Sequence, residues 1–357
     1  MINVTKTYLP PLEDYTGYLK KIWEKGQITN HGPMELELEA KLKKYLGAKH
    51  VFFVTNGTVA LQLAIKALGL KDEIITTPFS YVATTSSIFW EGCKPIFADI
   101  NLETLTIDPA EIEKKITPKT TAILATHVYG NPCEVEKIEA IAKNHNLKVI
   151  YDAAHAFGVE YKGKGLVNYG DISTLSFHAT KLFHTVEGGA VVTNDDDLAF
   201  KISYMRNFGH KGQEEFWGLG INGKNSEIHA AMGLAIFPRI EELISRREAL
   251  SKIYDGLISG TILRRPKILE NTKYNFAYYP VIFSSEQSLL KAREELNKAD
   301  IFPRRYFYPS LNHLGYVGEQ EVSVSEEISK KVLCLPLYFE LRESEVHTIS
   351  EIIKRNA

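Results

Sequence analysis

The chain has 357 residues, of which 44% are hydrophobic and 24% charged, and its formal net charge is −2. This is the make-up of a soluble globular protein with one large and one smaller domain, without the basic excess that would draw it to nucleic acid or an anionic membrane. No stretch nears the roughly 20 apolar residues of a membrane span, and the first residues lack the apolar core of a signal peptide. Three scattered cysteines, Cys93, Cys133 and Cys334, form no C-x-x-C pair and argue against both a disulfide framework and a zinc site, so a cytoplasmic protein is expected.

In chain order, Pro33 opens a helix at its favoured first position and Gly47 closes it. His50–Val54 is then predicted as a strand and Val59–Leu68 as a helix. Short apolar runs at Ile74–Thr76, Pro95–Ala98, Ala122–Ala125 and Lys148–Tyr151 follow as strands, with helical stretches such as Glu134–Asn144 between them. Unalternating apolar strands separated by helices predict a mostly parallel α/β sheet covered on both faces. Ile172–Phe177 and Ala190–Val192 add two further strands. Beyond Gly220 a long helix from Glu227 to about Gly256, a strand over Asn275–Phe283, and helices over Glu286–Leu296 and Glu343–Arg355 predict a smaller C-terminal α/β domain. The division is placed between residues 235 and 236, giving domains 1–235 and 236–357.

Ligands of open α/β sheets bind beyond the carboxyl ends of the strands, and several polar groups collect there. Thr55-Asn56-Gly57-Thr58 follows a strand and opens a helix, so its free amides and the Thr58 hydroxyl suit a phosphate; a plain helix cap is the alternative. Asp152 ends a buried strand, where a carboxylate needs a cation or must serve as a cap. His155 follows one turn later. Tyr81 lies just past another strand and could stack on a ring. Ser176 precedes Lys181, which sits in the hydroxyl-rich run Ser176-Phe177-His178-Ala179-Thr180-Lys181. A lysine in such a turn and a carboxylate at a strand end are what pyridoxal-phosphate chemistry requires. The amine forms a Schiff base with the cofactor aldehyde, and the carboxylate keeps the ring nitrogen protonated.

The runs Asp152-Ala153-Ala154-His155, Gly170-Asp171, Ser176-Phe177-His178-x-Thr180-Lys181, Glu187-Gly188-Gly189 and Gly220-x-Asn222-Gly223-Lys224 together resemble the DegT/DnrJ/EryC1/StrS sugar aminotransferases. The resemblance extends from Gly32-Pro33 to Cys334-Leu335-Pro336-Leu337. It implies a fold-type I pyridoxal 5'-phosphate enzyme that moves an amino group from glutamate to a nucleotide-linked keto sugar. Lys181 would carry the cofactor and shuttle the proton, Asp152 would face the ring nitrogen and His155 the phenolic oxygen. Gly57, Thr58 and Ser176 would hold the phosphate, Tyr81 would stack on the ring, and Asn222 would complete the phosphate site of a neighbouring subunit, making a homodimer. A branch of the family with histidine in place of the lysine performs dehydration, and Lys181 argues against it here.

The wording around Lys181 is similar to the subgroup acting on dTDP-linked 6-deoxyhexoses, in the synthesis of amino sugars for cell-surface polysaccharide. Carbon 4 is the favoured position and carbon 3 the alternative. Arg304, Arg305 and Tyr306 would face the substrate, the two arginines as a diphosphate clamp, with a solvated loop as the alternative; His184 would lie near the substrate or serve a structural role. A non-catalytic regulatory protein that binds cofactor or sugar on the same fold is the reading from another class.

Overall fold

A computed structural model describes the whole chain, Met1–Ala357. Its centre is a seven-stranded sheet in the order His50–Val54, Gly189–Thr193, Ile172–Ser176, Lys148–Asp152, Thr120–Thr126, Glu73–Thr76, Lys94–Phe97. Every pairing is parallel except those of Gly189–Thr193, which runs antiparallel to both neighbours. The strands lack polar alternation because both faces are covered. Val51, Phe53, Ile75, Ile123 and Tyr151 point into a core of 42 buried residues, while Val54, Ile74, Leu124 and Ile150 point into one of 18 on the opposite face. The predicted parallel α/β sheet is observed, with each of its strands within a residue or two of the expected bounds.

The predicted long helix from Glu227 is in fact broken. Glu227–Ile236 and Ile240–Ile258 are separate helices joined by the single 3₁₀ turn Phe237–Arg239. Pro238 is the cause, since it has no N–H to give and its ring crowds the preceding turn. The predicted strand from Asn275 is also shorter. Phe276 adopts a left-handed backbone at φ 49°, and pairing begins only at Tyr279, giving Tyr279–Ile282 against Val332–Leu335. These two strands and the flanking helices build a further, separate core of 19 buried residues lying between Leu250 and Ile353. At the amino end Ile2–Asn3 pairs in parallel with Ile301–Phe302.

Beneath the central strand lies His127, fully buried and stacked on Tyr151 with ring centroids 4.5 Å apart. Its Nδ1 accepts the Cys133 N–H at 3.0 Å, so the proton sits on Nε2, which has no partner. Burial pushes its pKa down to about 3. In the unfolded chain the ring protonates near pH 6.5, so between pH 6.5 and 3 the unfolded state binds more protons and stability falls as pH falls. His127→Asn, which keeps an acceptor for Cys133, should flatten this slope by about 1.4 kcal/mol per pH unit in that window, measured by urea unfolding across the acid range.

Candidate active site

The strands Glu73–Thr76, Thr120–Thr126, Lys148–Asp152 and Ile172–Ser176 all end at one edge of the sheet. The same edge receives the end of His50–Val54 and the start of the antiparallel strand, because Gly189 pairs with both Val54 and Ser176. The predicted residues from distant parts of the sequence therefore meet there.

Gly57 is the first residue of the helix Gly57–Ala67. The Asn56 side chain caps it by accepting the Val59 N–H at 2.9 Å, which leaves the amides of Gly57 and Thr58 at the open helix end. Ser176 lies directly across, so close that a Cβ on Gly57 would stand 3.0 Å from the Ser176 Cβ. Gly189 allows the neighbouring approach: a Cβ there would come within 2.5 Å of the Asn56 carbonyl carbon. The Glu187-Gly188-Gly189 run thus exists to bring a strand against a helix start. The amides of Gly57 and Thr58 and the Ser176 hydroxyl, 3.3 Å from that Gly57 Cβ position, lie together here, donors that suit a phosphate.

Asp152 is 5% exposed. Its Oδ2 accepts the Thr84 hydroxyl at 2.7 Å and its Oδ1 the Ala154 amide at 3.1 Å, yet it makes no salt bridge. Thr84 is in turn bonded to Ser80 at 2.8 Å, and Ser80 to Thr126 at 3.1 Å, a buried file of hydroxyls. Burial raises the Asp152 pKa; the bonds from Thr84 and Ala154 and the charge of Lys181 oppose the rise. Such a carboxylate wants a cationic N–H opposite it.

His155 accepts the Tyr129 N–H at Nδ1, 3.2 Å away, so its Nε2–H is free to donate outward. Phe307 stacks on the ring at 5.6 Å and 7°, and Tyr278 meets it edge-on at 4.8 Å. Burial holds its pKa well below the ordinary value, with Lys181 adding to the effect. Lys181 Nζ reaches the Tyr278 hydroxyl at 3.2 Å. Burial pulls the amine below its usual pKa, while Asp152 acts in the opposite sense. Tyr81, 59% exposed, makes no side-chain cap bond to its own helix.

Two of the substrate expectations change, that for His184 and that for a paired arginine clamp. His184 is buried with both nitrogens engaged, Nε2–H donating to the Tyr8 carbonyl at 2.7 Å and Nδ1 accepting the Val186 N–H at 3.2 Å. It therefore faces no substrate. Instead it braces the loop after Lys181, where Val186 is held at φ 68°, a costly conformation for a β-branched residue. Arg305 is likewise committed, to Glu286 at 2.7 Å and to the face of Tyr308. No paired clamp exists; Arg304, exposed and without an ion pair, is the one free guanidinium of the two. Tyr306 does lie at the cleft, edge-on to Tyr278 at 5.9 Å. Asn222 is exposed on the surface and bonded only to Lys224 at 2.8 Å.

Two site residues, Tyr278 and Thr84, were not anticipated. The Ser80/Thr84 spacing of four after a strand end was the available signal for Thr84.

A buried carboxylate lacking a cation, a neutral imidazole with one free donor, a desolvated amine and a phosphate cradle only glycine permits are together the donor set for pyridoxal phosphate, and they fit it. The family model for the DegT/DnrJ/EryC1/StrS aminotransferases matches residues 12–354, and the chain belongs to that family. Among its relatives is a dTDP-4-amino-4,6-dideoxy-D-glucose transaminase of Shigella dysenteriae, 44% identical over 98% of this chain and 99% of the relative. The Escherichia coli protein of the same name is 41% identical over 99% and 98%. The crystal structure of DesI in the presence of its TDP-sugar product superposes with a TM-score of 0.93 at 28% identity, over 99% of this chain and 92% of that one.

Thr84→Val should weaken pyridoxal-phosphate binding roughly tenfold, the worth of one hydrogen bond to a carboxylate, with Thr84→Ser near wild type, both read by absorbance titration.

Proposed function

We propose that the protein is a pyridoxal-phosphate-dependent aminotransferase that carries an amino group from glutamate to carbon 4 of a dTDP-linked 4-keto-6-deoxyhexose, in the cytoplasm. Its product would serve an amino sugar of a cell-surface polysaccharide. The observation that carries the chemistry is the buried, unpaired Asp152 beside the desolvated Lys181 at the carboxyl edge of the sheet. The choice of sugar rests on the two transaminases at 41% and 44% identity, each named for a 4-amino product. The carbon-3 and non-catalytic alternatives have less support.

When bound, the cofactor supplies an aldehyde that holds the amino group and a ring that draws off an electron pair. The protein's own residues do the rest. Gly57, Thr58 and Ser176 would bind the phosphate, and Tyr81 would stack on the ring. The Asp152 carboxylate would hold a proton on the ring nitrogen, and His155 Nε2–H would donate to the phenolic oxygen. Lys181 Nζ takes and returns the proton at the reacting carbon; a depressed pKa keeps part of its population neutral and able to do so. Arg304 is placed to meet the nucleotide diphosphate.

The proposed working unit is a homodimer with shared sites. Asn222 is exposed and follows Phe216, Trp217, Leu219 and Ile221, large apolar side chains that stand in solvent.

Incubation with labelled glutamate and a dTDP-4-keto-6-deoxyhexose should give a product labelled at carbon 4 by NMR; label at carbon 3, or none, would overturn the assignment. Shared sites have their own check. Lys181→Ala and Asn222→Ala chains, each inactive alone, should on 1:1 mixing recover about a quarter of wild-type activity through one intact site per mixed dimer.

A further inference from the structure

Tyr278 is the only polar group bonded to Lys181 Nζ, and it packs against a small separate cluster that holds Phe79, Tyr129, Phe307 and Cys334. It immediately precedes the strand Tyr279–Ile282, and the backbone that presents it is held from two directions. On one side Asn275, 1% exposed, donates to the carbonyls of His155 at 2.9 Å and Phe157 at 3.0 Å, while its own oxygen takes the Ala277 N–H at 3.1 Å. On the other, Arg247 of the helix Ile240–Ile258 donates to the Ala277 carbonyl at 3.0 Å.

Arg247 is an unusual group to find there. It is 6% exposed, makes no salt bridge, and burial pushes its pKa down to about 10. A desolvated guanidinium is costly to keep. The only bond it makes is to the peptide carbonyl next to Tyr278. The phenol itself is packed on three rings, edge-on to His155 and Tyr306 and tilted against Tyr129. It has one place to point.

We propose that Tyr278 is a further catalytic residue, the resting point of the Lys181 amine between proton transfers, and that Arg247 and Asn275 are positioning residues that aim it. The inference rests on the proposed transaminase reading. A protonated phenol can serve both states of the amine without moving: its oxygen accepts from the ammonium, and its O–H donates to the neutral amine. Burial raises the phenol's pKa, so it stays protonated through the working range. The amine is thereby kept out of salt-bridge reach of Asp152, which would otherwise compete for its proton.

The test uses the full-length protein loaded with pyridoxal phosphate. Tyr278→Phe removes only the hydroxyl. It should lower kcat by roughly ten- to a hundred-fold, the worth of one hydrogen bond to a charged group, leave KM for the keto sugar within about threefold, and displace the midpoint of the cofactor's absorbance change with pH. Arg247→Leu should displace that midpoint in the same direction, and Arg247→Lys should restore it in part. If wild type binds cofactor and transaminates while Tyr278→Phe keeps its kcat and midpoint, Tyr278 has no such role and the transaminase reading stands. If wild type stays colourless with added cofactor, both fall together. Should Tyr278→Phe unfold, the midpoint in Arg247→Lys against Arg247→Leu decides alone, and identical midpoints in those two and wild type overturn the proposal.

Discussion

Asp152 can stay ionised in the dry end of the sheet only if something replaces the water it has lost. The fold supplies the Thr84 hydroxyl and the Ala154 amide, but no side-chain cation bonded to it. Two hydrogen bonds do not repay a buried carboxylate, and its raised pKa records the deficit. The rest of the site can be understood from that shortfall. The file of hydroxyls behind Thr84 stiffens the donor; His155 stays neutral and brings no competing positive charge; Lys181 is near enough to be felt and too far to pair. The protein is left one positive charge short, in a place shaped for a ring whose nitrogen carries a proton.

Most of this frame was legible from the chain because the relevant signals are local. Apolar runs without alternation specify strands buried on both faces, and Pro33 with Gly47 bounds a helix, whatever lies around them. Asp152, Gly57 and Ser176 could be picked out because each sits at a strand end, where topology alone gathers ligand contacts. What failed was of a different kind. Tyr278 acquires its partner 97 residues away, and no periodicity in Asn275–Phe283 tells a phenol that meets the lysine from one that packs in a core. Arg304 and Arg305 are adjacent and alike in sequence. Only the fold decides that one is pinned by Glu286 and Tyr308 and the other is free. Pro238 lies between two stretches of helical pattern, and its sterics, not that pattern, decide that the helix breaks there.

His184 shows how a histidine near a reactive group can be structural. Its ring spans from the Tyr8 carbonyl to the Val186 amide, and so ties the amino-terminal segment to the loop that carries Lys181. The loop holds a β-branched residue in a left-handed conformation, and a strut with a fixed tautomer is what keeps it there. Rigidity of this sort positions an amine more narrowly than exposure to solvent would.

The parallel pairing of Ile2–Asn3 with Ile301–Phe302 gives the molecule an unexpected connectivity. The chain starts against the smaller core, leaves it to build the whole seven-stranded sheet, and returns by way of the Pro238 turn. In topological terms the larger body is an insertion between the first strand of the smaller one and its remainder. A fragment beginning after that turn would carry an unpaired strand at Ile301–Phe302, the open edge that invites pairing with another chain. The first strand therefore ties the amino end of the chain to the smaller core.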